Sequence, residues 1–264
     1  MLGTGHAMCT RCYNTCFYLR TPGGGLLVDG GGGNGIYRQL QRAHIRFEQI
    51  RHIFVTHCHT DHILGVLWLI RKISPMIHKG RFRAPLTIYC HDEVKADLEA
   101  MVRMLLPAKI GRAIEEGGGI VLQEVKDGER LQVDDMQLTV MDIHSTKAKQ
   151  FGFRAELPGG KTLACLGDEP YSPTCEQYVR GVDWMLSEAF CLYKDRERFR
   201  PYEKSHSTAL DAGTLAQELQ VKNLLLYHTE DTNLLQRKAA YTAEAQSVCK
   251  ARVWVPDDLE VIEL

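Results

Sequence analysis

IRHIFVTHCHTDHILGVLWLIRKI, residues 50–73, puts three imidazoles and a carboxylate within six positions, between an apolar run of strand length and one of helix length. IRHIFVTH, rich in β-branched and aromatic residues, reads as a buried strand, and ILGVLWLIRKI has the apolar spacing of a helix. The coordinating side chains therefore occupy a strand-to-helix loop, where a rigid frame commonly presents a site. In an extended segment residues 57, 59 and 61 project to one side and 62 elsewhere. That spacing predicts donors for two neighbouring ions. Imidazole and carboxylate suit borderline ions such as zinc and leave positions open for water. Cys58, between two histidines, points the other way and reads as a packing residue.

On either side, strands and helices alternate. NTCFYLR, a PGGG hairpin and LLVDGG precede a helical stretch near IYRQLQRAHI. PLTIYC, the helix HDEVKADLEAMVRMLL and the strands IVLQEV, LQVDDMQLTVMDIH, FGFRAEL and TLACLGD follow. WMLSEAF and NLLLYH read as buried strands around the helix STALDAGTLAQELQ, and VWVPDDLEVIEL as short terminal strands. Two comparable halves of this kind predict an α/β (α+β) fold of two sheets packed face to face with helices outside. No linker interrupts them, so one domain is expected over residues 1–264, a length near the upper limit for a single core.

A formal net charge of -1 excludes a surface that is basic throughout and traps nucleic acid everywhere. Local patches remain: Arg71, Lys72, Lys79, Arg81 and Arg83 form an acid-free stretch, and residues 194–204 are also rich in basic side chains. No apolar run is long enough to cross a bilayer and the start lacks the order of a secretion signal, so the expected location is cytoplasmic, without a membrane partner. Nine scattered cysteines fit reduced thiols better than a disulfide framework. Gly30–Gly33 and Gly35 lack the Lys-Ser/Thr of a phosphate-binding loop and read as a turn beside the cluster.

His57, His59, Asp61 and His62 match in full the HxHxDH signature of the metallo-β-lactamase superfamily, which the chain resembles over nearly its whole length. GTG at 3–5, NT at 14–15, LLVDGG at 26–31 and IFVTH at 53–57 fall in that family's order. The resemblance implies a four-layer αβ/βα sandwich with His57, His59 and His144 on one divalent ion and Asp61, His62 and His228 on a second. Asp168 would bridge the two. Zinc is the default, with manganese and iron accepted by the same donors. Such a pair of ions turns bound water into a hydroxide nucleophile near neutral pH, with Asp61 at the reacting centre.

KSHSTA at 204–209 and SEAF at 187–190 are similar to two motifs of the ribonuclease Z family. That likeness implies that His206 protonates the leaving oxygen and that Glu188 hydrogen-bonds to it and keeps it protonated. Lys147, Lys149, Arg200 and Lys204 flank these loops and favour a phosphodiester substrate, in RNA or a small nucleotide-like ester. An acyl hydrolase acting on a lactone or thioester, and a non-catalytic metal-binding protein, are the alternatives. Relatives of this kind often form homodimers. One departure is plain: only 24 positions separate His144 from Asp168, too few for the protruding arm with which ribonuclease Z docks transfer RNA. An armless family of phosphodiesterases, which open a cyclic ribose phosphate, carries a cysteine-held structural zinc near its start. His6, Cys9, Cys12 and Cys16 lie in the corresponding place, but their spacing is irregular and Cys16 falls in a strand-like run, so a third metal is not expected.

Overall fold

The computed structural model describes residues 1–82, 85–115 and 117–264; Arg83, of the acid-free stretch, lies outside the described residues. Five strands, β1 (Phe17–Arg20), β2 (Gly25–Val28), β3 (His52–Phe54), β4 (Leu86–Cys90) and β5 (Ile120–Glu124), form one sheet in chain order. The second sheet has seven: β6 (Arg130–Val133), β7 (Met136–Asp142), β8 (Phe151–Glu156), β9 (Thr162–Cys165), β10 (Trp184–Glu188), β11 (Asn223–Tyr227) and β12 (Arg252–Trp254). Their order is β12-β11-β10-β9-β8-β7-β6, and β9 to β12 run parallel.

Period-two alternation decides the layering, because successive side chains leave opposite faces of a strand. Leu26, Val28 and Phe54 turn inward to a core shared with Phe153, Trp184, Leu186 and Leu225 of the second sheet. Leu27, Ile53 and Ile88 turn outward. There they meet the helices α1 (Gly35–Arg42), α2 (Thr60–His78) and α3 (Asp92–Leu105). On the other side Met185, Leu224 and Leu226 turn toward the helices Ala209–Glu218 and Leu234–Gln246. The result is the expected αβ/βα sandwich.

The differences from expectation are local. Helix Leu234–Gln246 was not legible, because its sequence, LLQRKAAYTAEAQ, buries only Arg237, Tyr241 and Ala245 and so lacks a broad apolar stripe. After β12 the tail from Val255 onward forms no strand. Instead it folds back over the start of the chain: the Met1 ammonium donates to the Glu260 carbonyl at 2.7 Å and the Leu259 N–H to the Met1 carbonyl at 2.9 Å. Helix α2 begins at Thr60, with His59 at its N-cap, earlier than the apolar run suggests. Asp61 and His62 therefore diverge by the helical angle rather than by the pleat of an extended loop.

Candidate functional site

Four strand ends meet at one edge of the sandwich. The chain leaving β3 carries His57, His59, Asp61 and His62, while Asp168 follows β9, Glu188 closes β10 and His228 follows β11. Because β9, β10 and β11 are parallel neighbours, their C-terminal ends deliver these three residues together. Behind them, α2 crosses the glycine turn at very short range: a Cβ on Gly65 would stand 1.8 Å from the Gly30 carbonyl oxygen, so neither residue could carry a side chain without moving the helix.

Asp168, 2 % exposed, is the centre of the cluster. Its Oδ1 lies 3.5 Å from His57 Nε2, and its Oδ2 lies 3.7 Å from His62 Nε2 and 3.5 Å from His228 Nε2. Asp61 Oδ2 reaches the same two imidazoles, at 3.5 Å from His62 and 3.4 Å from His228. His57 Nε2 and His59 Nδ1 are 2.8 Å apart. Two donor groups result, His57 with His59 and Asp168, and Asp61 with His62 and His228. His206 brings a further donor to Asp168 and His228.

Asp29, which the sequence reading quoted within LLVDGG but assigned no role, organises this cluster from behind. Its Oδ2 is 2.8 Å from His62 Nδ1 and accepts from the Thr56 hydroxyl at 2.8 Å, while Oδ1 accepts the Thr56 N–H at 2.8 Å. Thr56 Oγ1 is in turn 2.9 Å from His57 Nδ1. Both rings are thereby held with Nε2 facing the pocket, the arrangement by which a carboxylate orients a metal-binding histidine. The only prior signal was an acid at the end of a strand beside glycines.

Electrostatics follow from this packing. Burial disfavours the charged form of His62, but the carboxylates of Asp61, Asp29 and Asp168 outweigh it and push the imidazole up to about 10. Burial likewise works against Asp168, yet His57, His228 and His62 hold its carboxyl well below the usual range. For His57 burial prevails over the attraction of Asp168 and lowers the ring well below its ordinary value.

Two expected arrangements are not assembled in this structure. His144 is not brought into the cluster: its side chain is 53 % exposed and Nδ1 stands 3.9 Å from Asp142 Oδ2. It lies beyond β7 at φ 56, in a loop where, among the described residues, none plays for its ring the part that Asp29 plays for His62. Nor do Glu188 and His206 form the expected hydrogen bond. His206 Nδ1 is 3.7 Å from Glu188 Oε2, and the carboxylate accepts instead from the backbone N–H of Ser207 at 2.6 Å and of Phe190 at 3.1 Å. Burial, reinforced by His228, pushes His206 down to about 3, and burial pushes Glu188 up to about 8. Glu188 therefore does not give His206 the hydrogen-bonded carboxylate partner that was expected. What fixes His206 is Phe190, stacked on its ring at 4.9 Å and 12°.

Near the start of the chain, Cys9 and Cys12 converge with Asp231, which the sequence reading did not single out. The Asp231 carboxylate also accepts from the Thr10 and Arg11 N–H groups at 2.7 Å. His6 packs instead on Phe190, and Cys16 is wholly buried in the core beneath α2. Cys58 is a partly buried packing residue of the same core. Lys147 lies 3.5 Å from Glu169 and Lys149 pairs with Asp92 at 2.5 Å, so both join the loop after β7 to its surroundings.

The sequence model of the β-lactamase superfamily domain matches residues 26–229, and the chain belongs to that family. It is similar to the ribonuclease Z of Phocaeicola vulgatus, 24% identical over 79% of this chain and 81% of that protein. Among solved structures it resembles the metallo-β-lactamase-fold protein YhfI of Bacillus subtilis, with a TM-score of 0.77, 18% identity and coverage of 97% and 95% of the two chains. The short form of human tRNase Z is also similar, with a TM-score of 0.72, 20% identity and coverage of 99% and 97%. A metal-dependent hydrolase of the metallo-β-lactamase superfamily, ribonuclease Z-like in sequence, is the class that fold, family and donor cluster define.

Proposed function

We propose that the cluster holds two divalent cations, zinc by default, and that the protein hydrolyses a phosphodiester in RNA or in a small nucleotide-like ester. The observation that carries this reading is the buried Asp168 carboxylate facing three imidazole Nε2 atoms, within a set whose Asp168 Oδ1 and His62 Nε2 are buried without a hydrogen-bond partner. Orphaned polar atoms in a dry pocket are costly, and a cation is the group that satisfies them all. His57, His59 and His144 would hold one ion, with His144 turning in from solvent. Asp61, His62 and His228 would hold the other, with Asp168 between. Ions so placed supply a nucleophile active near neutral pH and offset charge on the phosphoryl oxygens.

The remaining work falls to the chain's own groups. Asp29 and Thr56 keep the imidazoles aimed. His206 is the proton donor to the leaving oxygen in this reading; a bound diester, being anionic, raises its proton affinity. Glu188 acts as a positioning residue, fixing the backbone at Phe190 and Ser207 on either side of that ring. The clasp of Met1 and Thr4 onto residues 258–260 supports a single working domain over residues 1–264. Nine free thiols support a reducing compartment such as the cytoplasm.

Metal analysis of the purified protein, with turnover of bis-p-nitrophenyl phosphate, a lactone and a thioester, tests the reading. The diester is expected to react. Hydrolysis of the lactone or thioester alone would replace this reading by acyl hydrolysis, and no turnover at all would leave a metal-binding protein. The His206→Ala variant is expected to lose about 10²-fold on an unactivated dinucleotide, but much less on the p-nitrophenyl ester, whose leaving group needs little proton donation.

A further inference from the structure

The outer face of α1 and α2 has a charge pattern unlike the rest of the chain. Residues 30–47 and 62–91 contain no Asp or Glu, although the whole chain has a formal charge of -1. Arg38 and Arg42 on α1, Arg71 and Lys72 on α2, and Lys79 just after α2, are exposed. None has a carboxylate within 4 Å among the described residues, whereas Arg180, Lys222 and Lys238 elsewhere are paired. The first acid beyond the stretch is Glu48, on the following turn.

Aromatic rings lie within this field. Trp68 is 37 % exposed, with the Arg71 guanidinium 5.9 Å from its ring centre. Tyr37 meets Trp68 edge-on at 6.2 Å and Phe47 at 5.5 Å, and the Lys72 ammonium stands 5.1 Å from the Phe47 ring. An indole that is more than a third open to solvent, with an unpaired guanidinium beside it and an unpaired ammonium over the neighbouring rings, is poorly explained by core packing. It is the combination that binds single-stranded nucleic acid, in which cations follow the phosphates and aromatic faces receive the bases.

Position links this face to the metal-binding cluster. Asp61 and Trp68 are seven residues apart on α2, so they share one side of the helix at a separation of about 10 Å. The glycine turn fills the interval: the Cβ position of Gly32 is 3.7 Å from Asp61 Cα, and that of Gly33 is 4.0 Å from the Trp68 indole nitrogen. Gly32 is exposed and its Cβ position is 2.4 Å from Asn14 Oδ1, so the path from Asp61 to Trp68 runs over glycine backbone beside the Asn14 amide.

We infer that Trp68, Arg71 and Lys72 form a docking surface for a single strand of RNA running from the cluster over Gly32 and Gly33, with a base stacked on Trp68. This rests on the phosphodiesterase reading and makes the substrate a polynucleotide rather than a small ester. The surface takes a flexible strand, so it needs no protruding arm. A second copy of this chain fits less well, because a two-fold interface would set the same cations against one another.

Binding of a fluorescein-labelled ten-nucleotide RNA, followed by anisotropy on the metal-loaded full-length protein, tests the inference. Trp68→Ala is expected to weaken binding about tenfold, and Trp68→Phe to restore most of it. Arg71→Glu with Lys72→Glu is expected to weaken it further and to reduce the slope of log affinity against log salt by about 1.4. Turnover of bis-p-nitrophenyl phosphate should be unchanged in every variant, which also shows that they fold. Unchanged RNA affinity in both the Ala and the double Glu variants would overturn the inference while leaving the phosphodiesterase reading intact. Sedimentation showing a dimer that the double Glu variant dissociates, with RNA affinity unaltered, would overturn it in favour of self-association. A parent protein that hydrolyses no diester yet loses RNA through Trp68→Ala would sink the catalytic reading and leave the surface standing.

Discussion

In segment 57–62 the imidazoles of His57 and His62 are gripped through a second group, whereas in the loop 143–149 the imidazole of His144 stands in solvent. His62 has Asp29, His57 has Thr56, and His59 rests on His57 at 2.8 Å. The loop after β7 is anchored too, but through other residues: the Ser145 hydroxyl donates to Glu169 at 2.6 Å and Lys149 grips Asp92. A segment can therefore be well placed while its donor is not. Orientation of a ring requires a partner for its other nitrogen, and that partner comes from elsewhere in the chain.

The sharpest break in this comparison is Asp168→Asn, which alters the carboxylate that faces imidazoles of both donor groups. On the proposed reading, bound metal should fall below the two equivalents expected of the parent, and kcat/KM on a diester should drop by about 10³-fold, read by metal analysis and diester turnover. Asp29→Ala should cost roughly 10–100-fold in metal affinity or activity although it touches neither ion, while Asp142→Ala, beside His144, should change either by less than about threefold. Equal effects from the two would erase the distinction between a braced and an unbraced ligand.

Stability gives a finer contrast. In metal-free protein, His62→Ala leaves the Asp29 carboxylate short of a partner and is expected to cost about 1–3 kcal/mol in urea unfolding. His144→Ala should fall within about 0.5 kcal/mol of the parent, as exposed substitutions do. A destabilised His144 variant would show that the ring has a partner in the fold after all.

The smallest effect is the pH dependence of metal-free stability. His206 and His6 are pushed down to about 3 and about 4, chiefly by burial, so between those values and about 6.5 the unfolded chain binds more protons than the fold. Stability therefore rises with pH up to about 6.5. Glu188, pushed up to about 8, and His62, pushed up to about 10, keep protons that the unfolded chain has lost, so stability declines again toward alkaline pH. Thermal unfolding scanned from pH 4.5 to 9 should show a maximum near 6.5; a monotonic rise would contradict the upward shifts of Glu188 and His62.

Much of the fold was legible because its signals are local. Leu26-Leu27-Val28 and Ile53-Phe54-Val55 are apolar throughout, as strands covered on both faces must be. The helix at Leu234–Gln246 escaped because burial of three residues, one of them Arg237, leaves no apolar period to find. Arg237 is buried because its guanidinium donates to Thr4, Thr229 and Pro256, contacts made only once the chain has folded.

The sequence by itself determined the kind of chemistry: imidazoles and carboxylates at strand ends, the HxHxDH run before an apolar helix, and the order in which later donors arrive. Those are properties of residue type and short-range periodicity, which survive without a partner. Only the tertiary structure decided that Asp29 braces the cluster, that Glu188 serves backbone amides rather than His206, that Asp231 joins Cys9 and Cys12, and that Lys72 of α2 lies over the rings of Tyr37 and Phe47. Each depends on which distant groups stand within a few ångströms of a side chain, and that distance is set by the packing of the two sheets and their helices.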